Sequence, residues 1–280
     1  MRYTGIDLHK RILVVCLLDE KRQIVARQKF ACSDEEGIVA FFKKHRPFRA
    51  VMEATAGYEW LWRLLEPLAE EVLLAHPKKL RIIAESCTKT DKIDSLKLAQ
   101  MLVQDAIPRA YRPSPREREH RTLVRGRGRT QQRITSLKCR LRHLLAGHNA
   151  DRKDLFTREG EKHAKRVPLS QAERFVFDTL QAELNVLAEQ LEAFDRELAK
   201  FAKAAPTAEK EARAVLKSIP SVGPVTIDVV LSEVGNVRRF SSAKQGCNPL
   251  GQIIKRIAML GKDDQLAQAA VAIAHIRIVL

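Results

Sequence analysis

"YTGIDLHKRILVVCLLDEKRQIVARQKF", residues 3–30, decides the fold. Three runs within it, YTGIDLH, ILVVCLLD and QIVARQKF, are rich in β-branched and aliphatic residues, the composition of strands. The tight DEKRQ connection predicts that the second and third runs form a hairpin. Ser33 then opens a helix, with Glu36 three residues on as the other half of a capping box and Ile38, Phe41 and Phe42 at helical spacing. RAVMEA reads as a short buried strand, YEWLWRLLEPLAE as the core of a helix, and EVLLAHP as a strand closed by Pro77. A further helix begins near Asp91 in TKTDKIDSLKLAQML.

An antiparallel meander followed by alternating helix and strand implies a mixed α/β sheet. It is the element order of the ribonuclease H-like fold. In that order the first and fourth strands lie side by side. Asp7, inside an apolar strand, and Glu53, at the end of another, then converge. A lone buried carboxylate costs several kcal/mol, so an acid in such a place needs a partner. Asp91 and Asp94 lie three apart on one helix face and repel each other unless a cation sits between them. Read singly, Asp91 suits a helix N-terminus and Asp94 a solvated surface. Read together, the four acids form a set of hard oxygen donors for two Mg²⁺ or Mn²⁺ ions, the arrangement used in phosphodiester chemistry.

The charge balance points to the same kind of partner. The 280 residues carry 50 Lys and Arg against 34 Asp and Glu, a net +16. From Arg109 to Arg166 there are 18 basic and 6 acidic residues, so 12 of those charges fall in one middle stretch. A field of that size suits phosphate neutralisation and argues for nucleic acid. Arg125, Arg127, Arg129 and Arg133 cluster in RGRGRTQQR, where guanidinium forks can pair with phosphates and stack on unpaired bases. IPSVGPVT, residues 219–226, resembles a helix–hairpin–helix turn in which Gly223 allows a backbone to approach a phosphate, and Arg238 and Arg239 in NVRRF add further contacts.

After Arg112 the Pro-punctuated RPSPRERE marks a boundary. Two long helices are expected, from about Glu117 to Gly147 and Ser170 to Ala204. In the second, Leu180, Leu184, Leu187, Leu191, Phe194 and Leu198 make a heptad-like stripe of the kind that pairs helices. AKAAPTAEKEA reads as a linker to a small helical region. The expected domains are 1–110, a catalytic α/β domain; 111–205, a basic helical region; and 206–280, a C-terminal domain. Five scattered cysteines with no C-x-x-C pair imply reduced thiols, no zinc site and a cytoplasmic setting. The N-terminus runs straight into a strand pattern with no signal peptide, and no apolar run reaches the ~18 residues of a membrane span.

GIDLHK, VMEATAGYEW and KTDKIDSLKLAQML resemble the N-terminal domain of the DEDD transposases of the IS110 (IS116/IS902) group. LKSIPSVGPVTIDVVLSEVGNVRRFSSAKQ resembles that family's C-terminal transposase domain, and LVRGRGRTQQRITSLKCRLRHLLA its connecting basic helix. The resemblance implies a RuvC-like, ribonuclease H-type domain whose Asp, Glu, Asp and Asp bind magnesium, at positions matching Asp7, Glu53, Asp91 and Asp94. It further implies a coiled coil, a homo-oligomer joined through the helical region, DNA as substrate, a structured RNA bridging donor and target, and action at the prokaryotic nucleoid. The family also uses a C-terminal serine as nucleophile. No serine follows Ser242 here, the segment GCNPLGQIIKRIAMLGKDDQLAQAA looks shortened, and Ser241 and Ser242 read as helix caps, so no position is carried over for it. Two alternatives stay open: a RuvC-like nuclease of branched DNA, and a nucleic-acid-binding remnant without catalysis.

Overall fold

The computed structural model describes residues 1–55, 57–84, 91–220 and 222–235, those at 81–84 and 91–94 as backbone. The chain divides into two compact units, Met1–Arg112 and one beginning at Pro113.

In the first unit, β1 (Arg2–Leu8), β2 (Ile12–Leu18) and β3 (Ile24–Ala31) form the meander, followed by α1 (Glu35–Lys44), β4 (Phe48–Glu53), α2 (Glu59–Leu65), β5 (Glu71–Ala75), α3 (Pro77–Ala84) and α4 (Asp91–Val103). The mixed five-stranded sheet has the order β3-β2-β1-β4-β5. β1 pairs antiparallel to β2, and β2 antiparallel to β3. β1, β4 and β5 run parallel. The β2–β3 turn is closed by the Asp19 carboxylate, which accepts from the Gln23 amide at 2.8 Å.

Strand alternation sorts the side chains onto two faces. Ile6, Leu13, Val15, Ala50 and Met52 pack with Ile38 and Phe42 of α1 and Leu61 and Leu65 of α2. Val51, Leu73 and Ala75 pack on the opposite face with Leu80 of α3 and Leu98 and Leu102 of α4. Cys16 and Leu18 meet Ala99 of α4 on that face. Most of these side chains are fully buried, and each Val, Leu, Ile, Phe or Met among them is worth about 1.5–3 kcal/mol relative to exposure.

α4 lies close on β1. A Cβ built on Gly5 would run into the carbonyl oxygen of Ser95 and come within 2.5 Å of the Ala99 amide nitrogen. Glycine is required here by space, and it lets the helix backbone lie on the strand.

The second unit is helical. α5 (Pro115–Ala146) and α7 (Gln171–Lys203) run side by side, with α6 (Arg158–Arg166) between them in sequence, and α8 (Thr207–Lys217) and α9 (Pro224–Val234) following. Arg127 pairs with Asp195, Arg133 with Glu183 and His148 with Glu173, so α5 and α7 are antiparallel. Each long helix opens with a reciprocal capping box, Ser114 with Glu117 and Ser170 with Glu173. The leucine stripe is used inside the chain: Leu180, Leu184 and Leu187 pack on Ile134, Leu137 and Leu141 of α5. Gly126 of α5 faces the Phe194 ring, which a Cβ would approach to 2.8 Å. That glycine serves the close packing of the two helices.

Four local expectations need correction. The cap of α1 is Asp34, which accepts from the Gly37 amide at 3.0 Å, because the strand before it runs on to Ala31. α2 stops at Leu65, shortly before Pro67, whose ring cannot continue the helix. α3 and α6 were not expected from periodicity. The stretch read as a linker is largely α8, whose Ala212 and Leu216 are buried.

Gly5→Ala should destabilise the first unit by about 1–3 kcal/mol, the cost of overpacking a close backbone contact. Gly223→Ala, where an added Cβ meets nothing within 4 Å, should cost far less. Denaturant midpoints of the two variants check this ordering.

Candidate active site

Asp7 sits at the carboxyl-terminal end of β1 and Glu53 at that of β4. The parallel register runs through Ile6↔Met52. One residue further on in both strands come Asp7 and Glu53, in one cross-strand row on neighbouring strands. Ile6 and Met52 belong to the face covered by α1 and α2. Alternation therefore puts Asp7 and Glu53 on the face that carries α4.

The direction of α4 follows from its contacts. Ser95 lies over Gly5. Leu102, near the far end of the helix, shares a cluster with Tyr3, near the start of β1. α4 thus runs antiparallel to β1, and its first turn, which carries Asp91 and Asp94, begins toward the Asp7 end of the strand. Their side chains lie outside the described residues. Among those described, no group of three or more His, Cys, Asp and Glu side chains is arranged to hold a metal ion.

The Asp7 side chain is 18% exposed, and one of its oxygens, Oδ2, lies 3.1 Å from His9 Nε2. His9 belongs to the turn after β1. That turn is tied down by the Cys32 amide, which donates to the Arg11 carbonyl at 2.9 Å. Asp7 is therefore half-buried, fixed on a strand, and beside a group that is cationic when protonated.

The arginine cluster divides. Arg125 donates to both carboxylate oxygens of Glu233, at 2.9 Å each, and this ion pair raises its pKa further against the opposing effect of burial. Arg127 reaches Asp195 at 2.6 Å with its side chain 16% exposed, and Arg133 reaches Glu183 at 2.9 Å. Arg129 is exposed and makes no ion pair among the described residues. Gly223 is the N-cap of α9 with φ −86°, a value open to any residue. Arg238 and Arg239 lie outside the described residues.

One constellation was missed. In the second unit His120 Nε2 lies 2.9 Å from Asp228 Oδ1, with side chains 5% and 7% exposed. Arg213 reaches the same oxygen at 2.7 Å and Glu209 at 3.0 Å, and Arg116 reaches Glu209 at 2.7 Å. The His120 and Arg116 side chains both lie on the Phe201 ring. This network joins α5, α7, α8 and α9 at their ends. A signal for it existed: Asp228 interrupts the apolar run VTIDVVL much as Asp7 interrupts its strand.

Residues 4–150, more than half of the chain, match the DEDD transposase family of IS110 type, described as transposase. Residues 213–251 match the transposase IS116/IS110/IS902 family. The chain belongs to this transposase family. Over 254 residues it is 22% identical to the transposase for insertion sequence element IS1111A of Coxiella burnetii (strain RSA 493 / Nine Mile phase I). That alignment covers 88% of the chain and 66% of the relative, so the chain spans just under two thirds of its length. Asp7, Glu53, Asp91, Asp94 and the arginines of α5 all fall inside the first matched segment.

Arg127→Ala should cost about 1 kcal/mol, because a half-buried pair and the packing of its stem are lost together. Arg129→Ala should stay within about 0.5 kcal/mol. Urea unfolding of both variants separates a structural arginine from a free one.

Proposed function

We propose that this chain is an insertion-sequence transposase that cuts and transfers DNA strands with divalent metal, on a ribonuclease H-like, RuvC-type first domain. The observation that carries it is the acid row of Asp7 and Glu53, on the α4 face and at the end from which α4 starts. The donor set fits hard cations: carboxylate oxygens, no thiol, and one of them half-buried on a rigid strand. Asp7, Glu53, Asp91 and Asp94 would hold Mg²⁺ or Mn²⁺. Such ions supply an activated attacking oxygen and neutralise charge building at the phosphorus. The protein's part is to fix the carboxylates before the metal arrives. Gly5 does this for α4, and the β1–β4 pairing does it for the strand acids. His9 steadies Asp7 from the solvent side.

The division into 1–110, 111–205 and 206–280 assigns catalysis, basic helical region and C-terminal transposase domain. DNA is the substrate, and a structured RNA guides the choice of target. Phosphate contacts fall to Arg125, Arg127, Arg129, Arg133, Gly223, Arg238 and Arg239. Of the four arginines between 125 and 133, Arg129 is the one best placed, since Arg125, Arg127 and Arg133 are already engaged with carboxylates. Assembly into a homo-oligomer runs through the helical region. The leucine stripe is consumed within the chain, so the paired surface is the outer side of α7, where Phe175, Val176 and Val186 are exposed. An enzyme of this kind works in the cytoplasm, at the nucleoid. No helix among the described residues is long and apolar enough to cross a membrane.

Asp7→Ala and Asp94→Ala should each abolish Mg²⁺-dependent cleavage and strand transfer in the presence of the guide RNA, while binding to DNA and RNA stays near wild type. Gel-resolved strand products and anisotropy titrations measure the two separately. Full activity in either variant would remove the metal site.

A further inference from the structure

The sheet edge beside the acids carries cations that the catalytic reading does not use. In antiparallel pairs, residues directly opposite share a face. Asp7 pairs with Val14 and Val14 with Lys29, so these three make one row. Gly5 pairs with Cys16 and Cys16 with Arg27, making the next row toward the start of β1. α4 lies on Gly5, so both rows belong to the α4 face. Lys29 is two strand spacings from Asp7, about 10 Å. Arg27 and Lys29 are exposed and make no ion pair among the described residues. Arg27 stands directly across from Cys16, where its charge opposes the rise that burial causes in the pKa of that thiol.

β3 is an edge strand, and lysines often stand on edges to block unwanted pairing. Charges serving that purpose work on either face. Here both lie on the acid face, and the alternate positions Ala26, Gln28 and Phe30 are uncharged. The acids nearest Lys29 along the chain, Asp34, Glu35 and Glu36, open α1, which packs on the other face.

We propose that Arg27 and Lys29 form a backbone track leading out of the acid site, gripping the DNA strand one or two phosphates from the one that reacts. This rests on the transposase reading above and adds to it the direction in which the substrate strand leaves the site: across β2 and β3. Arg27 suits a phosphate fork, and Lys29 a point charge on a flexible stem.

The test uses the full chain and a duplex DNA oligonucleotide, with anisotropy binding measured over a salt series. The double variant Arg27→Gln/Lys29→Gln should bind about 10-fold more weakly near 0.1 M salt and lower the log–log salt slope by about 1–2. The control Lys21→Gln/Arg22→Gln removes equal charge in the turn that precedes the same strand and should leave the slope near wild type. An RNA hairpin serves as a second probe. A wild-type slope in the first double variant, equal losses in both double variants, or a loss confined to the RNA would each overturn the track while leaving the transposase reading intact. A wild-type chain that binds no DNA would take down both.

Discussion

Everything in the first unit depends on one contact, the backbone of α4 lying on Gly5 of β1. Without a side chain at Gly5 the helix sits closer to the sheet than a Cβ would permit. That closeness buries Leu98, Ala99 and Leu102 and seals the sheet face that α1 and α2 do not cover. It also fixes where the helix begins. Since Ser95 lies over Gly5, the residues before it run past β1 toward the end marked by Asp7. The same glycine therefore sets both the packing of α4 and the place where it starts, and a larger residue would disturb both.

The strands were legible because a sheet leaves a strong trace: runs of β-branched residues, a short turn and period-two alternation. Asp7 stood out because a charge inside such a run has a cost that demands a reason. The same rule applied to Asp228 would have found the His120 network, but its partners Arg213 and His120 are 15 and 108 residues away, and sequence gives no distance across the chain. The missed α3 and α6 are short, and α6 carries little apolar residue to show a period. α8 was hidden by the polar, Pro-led composition of its start, which fits a linker as well as a first helical turn. Ser33 lost the cap to Asp34 because either side chain can accept from an exposed amide; the choice fell to where β3 stopped.

The arginines mark a different limit. Composition counts charges but cannot tell which are already paired. Four arginines within nine residues looked alike as a sequence, yet three hold carboxylates on α7 or α9 and one faces solvent. The glycines between them looked like helix weakness. Gly126 instead makes room for the Phe194 ring, a tertiary reason that no local propensity reveals.

Charge placement matters more than charge total in the first unit as well. Met1–Arg112 carries 20 Lys and Arg against 15 Asp and Glu, an excess too small to steer a polyanion by itself. Two of those acids, Asp7 and Glu53, stand in one row on neighbouring strands, where like charges repel. A polyanionic strand brought to that place meets further repulsion. Two things lower it: cations bound by the acids themselves, and fixed cations placed just beyond them. Val14, buried between Lys29 and Asp7, keeps the two kinds of charge in line yet apart. Were Lys29 on β2 instead, it would pair with Asp7 and quench it. Two strands away it stands clear of the carboxylate.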